Sequence, residues 1–259
     1  MNSDWPLILA YHGLHSKSSR RYALAAETFE RQLTRMLDAG FRPLSLPDAV
    51  AAGPFGRADA GPKTFTLTFD DALVSFGEIA FPILRRLGLL GAATVFVPTA
   101  FVGGDNAWRS PPTPMQRLTS RAETQETLLG WDAIEDLARE GVAFGSHGHA
   151  HLPMQRLTYA EARADVEESL SLLAAHGIGA RYLALPFGWH SEECERAIAD
   201  AGLEAAFSVK WGGRDRFEIR RIPMYGTDSL PTVRLKMSGS YFGVFDTAAR
   251  LAGKRRYRG

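Results

Sequence analysis

What this chain lacks narrows its possibilities before any motif is read. It has one cysteine, Cys194, so no internal disulfide can form, and nothing in its cysteine usage signals an oxidising compartment. A lone cysteine within a helical stretch reads as a packed thiol rather than a nucleophile. Charge of either sign is not in excess: 30 Lys and Arg against 29 Asp and Glu leave a formal net charge of +1, without the basic surplus expected of a nucleic-acid binder. No apolar run approaches the length of a membrane span. The start, Met1 to Pro6, has no basic n-region, and Leu7 to Ala10 is too short for a signal core. These features predict a cytoplasmic protein. No Gly-x-Gly-x-x-Gly or phosphate loop opens any helix, which removes support for a nucleotide-binding sheet. Internal repeats and low-complexity tracts are absent too.

What is present is a full-sized globular chain, 259 residues at 45% hydrophobic content, enough for one large α/β domain. Apolar β-branched runs alternate with helical periods. Leu7–Tyr11, Phe65–Phe69, Ala93–Val97, Val142–Gly145, Arg181–Leu185 and Ala205–Val209 read as strands, with Arg221–Met224 a last short one. Between them Thr28–Ala39, Phe76–Leu87, Trp131–Glu140, Tyr159–Ala175 and Glu192–Ala201 read as helices, with Thr158 and Glu161 forming a capping box. A shorter helix is predicted near 47–52. Residues 53–62, rich in Gly, Pro and Ala, read as a surface connection, and 102–130 as a lid or wall loop. Strands alternating with helices predict a parallel sheet, here a distorted (β/α) barrel of about seven strands. One domain spans 1–259, with 226–259 a helical, basic extension. Its tail of Arg250, Lys254, Arg255, Arg256 and Arg258 reads as a solvated end, with weak contact to a membrane surface the minority reading.

The chemistry gathers at strand ends. Phe65 to Phe69 stops at Asp70-Asp71, two adjacent carboxylates whose repulsion disfavours ionising both without a cation. Val142–Gly145 delivers Ser146-His147-Gly148-His149-Ala150-His151. On a helical turn, the i, i+4 spacing of His147 and His151 would put both imidazoles within reach of one ion, with His149 pointing elsewhere. In a β/α barrel the carboxyl ends of the strands converge on one face, which would bring His12, Asp70, Asp71, His147, His151 and the Phe187-Gly188 turn together. Two imidazoles and one carboxylate leave coordination positions open, the mark of a catalytic rather than a structural metal.

Thr68-Phe69-Asp70-Asp71, the His147-x-x-x-His151 pair and Leu185-Pro186-Phe187-Gly188 resemble the successive motifs of the polysaccharide deacetylases, the NodB-homology carbohydrate esterases. Tyr11-His12-Gly13 and Phe29-x-x-Gln32-Leu33 resemble the branch containing poly-N-acetylglucosamine deacetylases. The likeness runs from about residue 7 to about 225. It implies a NodB-type barrel and a metal-dependent hydrolase that removes acetyl groups from an N-acetylated sugar or glycan precursor. Asp70 would be the base on metal-bound water, and Asp71, His147 and His151 would hold one divalent ion, zinc first. The Phe187 N–H would serve the oxyanion, and Pro186 would shape that wall.

Departures from the family pattern are also visible. No histidine follows His190, position 184 is Ala where the family often has Arg, Ala72 replaces a usual Gly, and Gly148 replaces a usual Ser or Thr. For the missing proton donor His12 ranks first, protonated Asp70 second and His190 third. Trp108, Arg109, Trp189 and Trp211 are candidate sugar walls, although simple packing is the commoner role of any one of them. The substrate partner expected is an acetylated carbohydrate. Two other functions compete: a non-catalytic glycan-binding protein on the same scaffold and, further behind, a non-haem iron oxygenase, whose ligand set is also two His and one carboxylate.

Overall fold

The computed structural model describes residues 6–17, 21–53, 63–106, 126–209 and 215–251. In chain order the elements are β1 (Leu7–Tyr11), β2 (Gly13–His15), β3 (Ala23–Ala25), α1 (Ala26–Asp38), β4 (Arg42–Pro43), α2 (Leu46–Ala52), β5 (Thr64–Phe69), α3 (Phe81–Arg86), β6 (Ala93–Val97), α4 (Trp131–Arg139), β7 (Ala143–Ser146), α5 (Tyr159–Ala175), β8 (Tyr182–Ala184), α6 (Glu192–Asp200), β9 (Ala205–Ser208), β10 (Ile219–Arg220), β11 (Ile222–Pro223), α7 (Leu230–Met237) and α8 (Tyr241–Leu251). The main sheet runs β10-β9-β8-β7-β6-β5-β1-β11, with β4 added beside β5, and every pairing in it is parallel.

The two ends of that order are consecutive in the chain. β10 pairs with β9, β11 pairs with β1, and only Arg221 lies between them. One extended segment therefore hands its pairing from one edge of the sheet to the other at Arg221, which curls the sheet into a nearly closed barrel. Counted as one segment, β10 and β11 make the expected ring of seven strands. The expected last strand, Arg221–Met224, is thus broken at its first residue by the closure itself.

Period-two alternation sorts the strand residues into two layers. Ile8, Phe96, Tyr182, Ala184, Ala205, Phe207 and Ile219 form one cluster, drawn from strands and joined by Leu46 of α2; this is the barrel interior. Leu7, Leu9, Tyr11, Phe65, Leu67, Phe69, Val95 and Val97 face outward onto α1, α3 and α4. Gly145 is the small residue that lets the interior fill: a Cβ there would stand 2.6 Å from the Phe96 ring. The alternation carries past the strand ends. Position 12 follows Ile8 and Ala10, position 70 follows Thr66 and Thr68, position 147 follows Gly145, and position 221 follows Ile219.

Local sequence sets the helix ends. Thr158 and Glu161 form the predicted capping box at α5, and Ser191 caps α6 through the Cys194 N–H. The segment expected as one helix over 76–87 opens with a π-helical turn at Phe76–Ala80, because Pro82 at the start of α3 has no N–H to continue the regular ladder. The pair β2 and β3 goes beyond the polar loop read from the sequence over 16–21. Among the described residues no helix is long and apolar enough to cross a membrane.

Candidate metal centre and catalytic rim

The backbone bends sharply where the carboxylates sit. Asp70 still bonds the ladder, its N–H donating to the Tyr11 carbonyl at 2.9 Å. Asp71 (φ 74°) and Ala72 (φ 50°) then adopt the left-handed region, strained for residues with a Cβ and common at functional sites. Ala72 thus takes the glycine-like conformation that the family motif provides with Gly. Both carboxylates are buried, 3% and 7% exposed.

The two histidines reach Asp71 by a route other than the helical turn expected from their spacing. Residues 147–151 form an irregular loop in which Gly148 (φ 74°) and His151 (φ 50°) are left-handed. Three contacts hold that loop. Asp165 of α5, itself buried, accepts the His149 and Ala150 N–H groups, each at 2.8 Å. The His149 ring shares a hydrogen bond with Thr99 Oγ1 at 3.0 Å, so it anchors the loop as an outlying support. Gly148 N–H donates to Ser146 Oγ. The glycine at 148, one of the departures from the family pattern, has its reason here: a Cβ would stand 2.7 Å from Asp165 Oδ2.

His147 Nε2 and His151 Nε2 both lie 3.5 Å from the same atom, Asp71 Oδ1. That is long for a hydrogen bond. It matches two ligands of one ion, because bonds of about 2.1 Å at a tetrahedral angle put ligand atoms about 3.4 Å apart. His147 Nδ1 donates to the Ala184 carbonyl at 2.7 Å, which fixes the tautomer and leaves Nε2 as a bare lone pair. The donor set thus fits a divalent cation with positions left open. Burial pushes Asp71 up, but the close imidazoles of His147 and His151, with His12 beyond them, outweigh it and hold the carboxyl well below its usual range. Burial holds His151 low and therefore neutral; for His147 the same burial is outweighed by the two carboxylates, which raise it.

Asp70 has a partner that sequence reading missed. Arg221, fully buried, grips it with two bonds, Nη1 to Oδ1 at 2.7 Å and Nη2 to Oδ2 at 2.8 Å. Nη1 also donates to Thr68 Oγ1, and Nε to the Ser208 carbonyl. Burial alone would raise Asp70, yet the guanidinium, with help from His147 and His12, brings it below the ordinary carboxylate value. His12 Nε2 lies 3.9 Å from Asp70 Oδ2 with a quarter of its side chain exposed, at the mouth of the site.

The opposite wall is the turn Pro186–Gly188. Phe187 is left-handed (φ 62°), and its ring meets His151 edge-on at 4.9 Å. Pro186 is buried, and Trp189, half-buried, follows the turn. His190, the third candidate donor for the departing amine, is turned to two carboxylates outside this set, 3.3 Å from Glu195 and 3.1 Å from Glu218. Trp108, Arg109 and Trp211 lie outside the described residues.

The strand ends of a parallel barrel thus gather an Asp-His-His set beside a second, arginine-held carboxylate. Comparison with known proteins gives the family. The family model for polysaccharide deacetylase matches residues 57–206. The YxkH protein of Bacillus subtilis, assigned to the same family, is 23% identical over 92% of this chain and 75% of its own. Among solved structures, the Streptococcus pyogenes deacetylase PplD, in complex with acetate, is similar with a TM-score of 0.72 at 19% identity, covering 90% of this chain and 97% of that one. IcaB from Ammonifex degensii is similar with a TM-score of 0.71 at 22% identity, covering 92% and 98%. The chain belongs to the polysaccharide deacetylase family, and with it to the carbohydrate deacetylases. A parallel barrel of that family leaves no fold argument for the oxygenase alternative.

Proposed function

We propose that this chain is a metal-dependent deacetylase that removes the acetyl group from an N-acetylated sugar or glycan precursor. The observation that carries the reading is the convergence of two imidazole Nε2 atoms on one carboxylate oxygen, with a separately neutralised, ionised carboxylate next to it in sequence. Asp71, His147 and His151 hold the ion, and zinc suits two nitrogens and one oxygen. When bound, the cation supplies Lewis acidity toward the acetyl carbonyl and makes water more acidic.

This chain's residues do the rest. Asp70, kept ionised by Arg221, accepts a proton from the attacking water. The Phe187 N–H, presented by its left-handed turn, donates to the carbonyl oxygen as negative charge develops there. Acetate forms as the C–N bond breaks, His12 gives the departing amine its proton, and the proton taken by Asp70 passes back to His12, whose Nε2 lies 3.9 Å from Asp70 Oδ2, restoring both groups. The structure supports His12 over a protonated Asp70 in that role, since Arg221 disfavours the neutral acid.

Acetate release from N-acetylglucosamine oligomers, measured with and without chelator, tests the reading. Release that stops on chelation, returns with zinc and is lost in Asp71→Ala is the expected result. Full-rate release by Asp71→Ala would sink it. Oligomer binding with no turnover under any metal would favour the non-catalytic glycan binder instead.

A further inference from the structure

Four large hydrophobic side chains stand exposed among the described residues: Tyr22, Phe187, Leu230 and Val244. The two aromatic ones both touch histidines of the rim. Phe187 meets His151, and the Tyr22 ring, 45% exposed, packs 5.4 Å from the His12 ring at a tilt of 56°. A single exposed ring is ordinary on a protein surface; what sets Tyr22 apart is its place against His12 at the mouth of the site.

Tyr22 is also held rigidly. Its carbonyl accepts the Gly13 N–H at 2.9 Å, tying it to the residue after His12. The Arg21 guanidinium lies 5.4 Å from both the Tyr22 and Tyr225 rings, and Tyr225 meets Tyr22 edge-on at 5.8 Å. The Arg21 carbonyl accepts the Gly226 N–H, pinning the segment from the other side. Such a ring, backed on several sides and bare on one, loses little freedom when a flat partner stacks on it.

We propose that Tyr22 is the stacking platform for the pyranose ring that carries the scissile acetamide, a specificity-determining residue for 2-acetamido sugars. The inference rests on the deacetylase reading above. In that reading His12 protonates the departing amine, so the sugar bearing the amine lies on the His12 side of the centre, where Tyr22 stands. Pyranoses present a face of C–H bonds, apolar enough to cover an aromatic ring, while their hydroxyls stay in water. The acetyl group then points the other way, toward Phe187 and the metal ligands.

Steady-state acetate release gives KM and kcat, and calorimetric titration with glucosamine tetramer, which cannot turn over, gives a Kd. For Tyr22→Ala, KM and Kd should both rise about tenfold, as expected for losing one ring-sized contact, with a smaller effect on kcat. Tyr22→Phe should restore both, because the ring rather than the hydroxyl makes the contact. An unchanged unfolding midpoint in both variants separates the effect from damage to the His12 segment. Unchanged KM and Kd in Tyr22→Ala overturn the proposal, as does a Tyr22→Phe variant as weak as Tyr22→Ala, or a wild type that binds neither N-acetylated nor free glucosamine oligomers. Sugar binding that weakens in Tyr22→Ala while no acetate is ever released would keep the platform and defeat the deacetylase reading. Acetate release indifferent to Tyr22 would do the reverse.

Discussion

Replacing Arg221 by Met removes one charge and keeps most of the volume, so it isolates what the guanidinium does for Asp70. In the wild type, Asp70 is 3% exposed and both its oxygens accept bonds from Arg221. Without that partner the buried carboxylate is left uncompensated, a loss of about 3–5 kcal/mol for a broken buried pair. The penalty has a ceiling, because the acid can take a proton instead. For a carboxyl of ordinary value 3.8, that costs about 4.4 kcal/mol at pH 7. A loss of about 3–4 kcal/mol is therefore expected, lowering the melting temperature of this 259-residue chain by about 6–8 °C. The same change should move the acid limb of the kcat/KM profile to higher pH, since burial then acts on Asp70 with only the weaker pull of His147 and His12 against it. In Arg221→Met with Asp70→Asn the lost stability should largely return, because the amide carries no charge to strand, while the activity left in Arg221→Met is lost. Urea unfolding, pH–rate profiles and the double-mutant cycle measure these effects. If Arg221→Met unfolds within 1 kcal/mol of wild type and its acid limb does not move, the pair is neither the clamp nor the tuner described here.

The remaining predictions concern the loop, the ligands and the thiol. Asp165→Asn keeps the shape but gives one of the loop's two N–H groups an amide NH2 to face, and metal affinity should fall about 10–100-fold in competition titrations. Metal affinity should also weaken as the pH falls: His147 is raised above 6.5, so a proton begins to compete for its Nε2 above that value, and zinc competition assays should show the loss setting in before the pH reaches 6.5. In the metal-free protein Asp70 and Asp71 are both depressed below 3.8, so their stabilisation is present above that value and is lost as the pH falls below it; acid titration of the chelated protein, with and without Asp70→Asn, checks this. Burial pushes the Cys194 thiol up to about 12, and the folded protein should resist alkylation by iodoacetamide at pH 8 until denaturant is added.

The parts of this site that were readable from sequence are those whose signal is local. Phe65–Phe69 is an unbroken apolar run, so the strand and the two acids at its end could be placed together. Tyr159–Ala175 begins on a capping box and was bounded correctly at both ends. The histidine pair was found for a reason the structure replaces: the spacing suggested a helical turn, whereas a left-handed loop held by Asp165 performs the convergence. Asp165 gave no sign of this role, since an acid in a long polar helix looks like any solvated residue. Arg221 was harder still. It follows Arg220, whose guanidinium lies 4.1 Å from the Phe242 ring, and a two-arginine step reads as surface charge. Only the parity of positions 219 and 221, known once Ile219 is placed inside, turns one arginine into the barrel and the other away from it. Tyr22 carries no signal in the sequence, since it stands between a polar loop and a strand of only three residues, Ala23–Ala25.

Where the family pattern often has an arginine side chain, this chain has only the methyl group of Ala184, buried in the barrel interior. A cation for Asp70 is supplied instead from the point where the barrel closes. At Arg221 the sheet changes partners: its N–H makes the last ladder bond to β9, to the Ser208 carbonyl, and its Nε donates to the same oxygen. The guanidinium reaches across to Thr68 and Asp70 on the strand ladder of β1 and β5, linking the β9 side of the ring to the β5 side through side chains where the main-chain ladder is interrupted. Holding Asp70 ionised and holding the barrel shut are thus one interaction. A substitution at either residue is felt in both properties, and activity lost at Asp70 can be assigned to chemistry only after the stability of the closure has been measured.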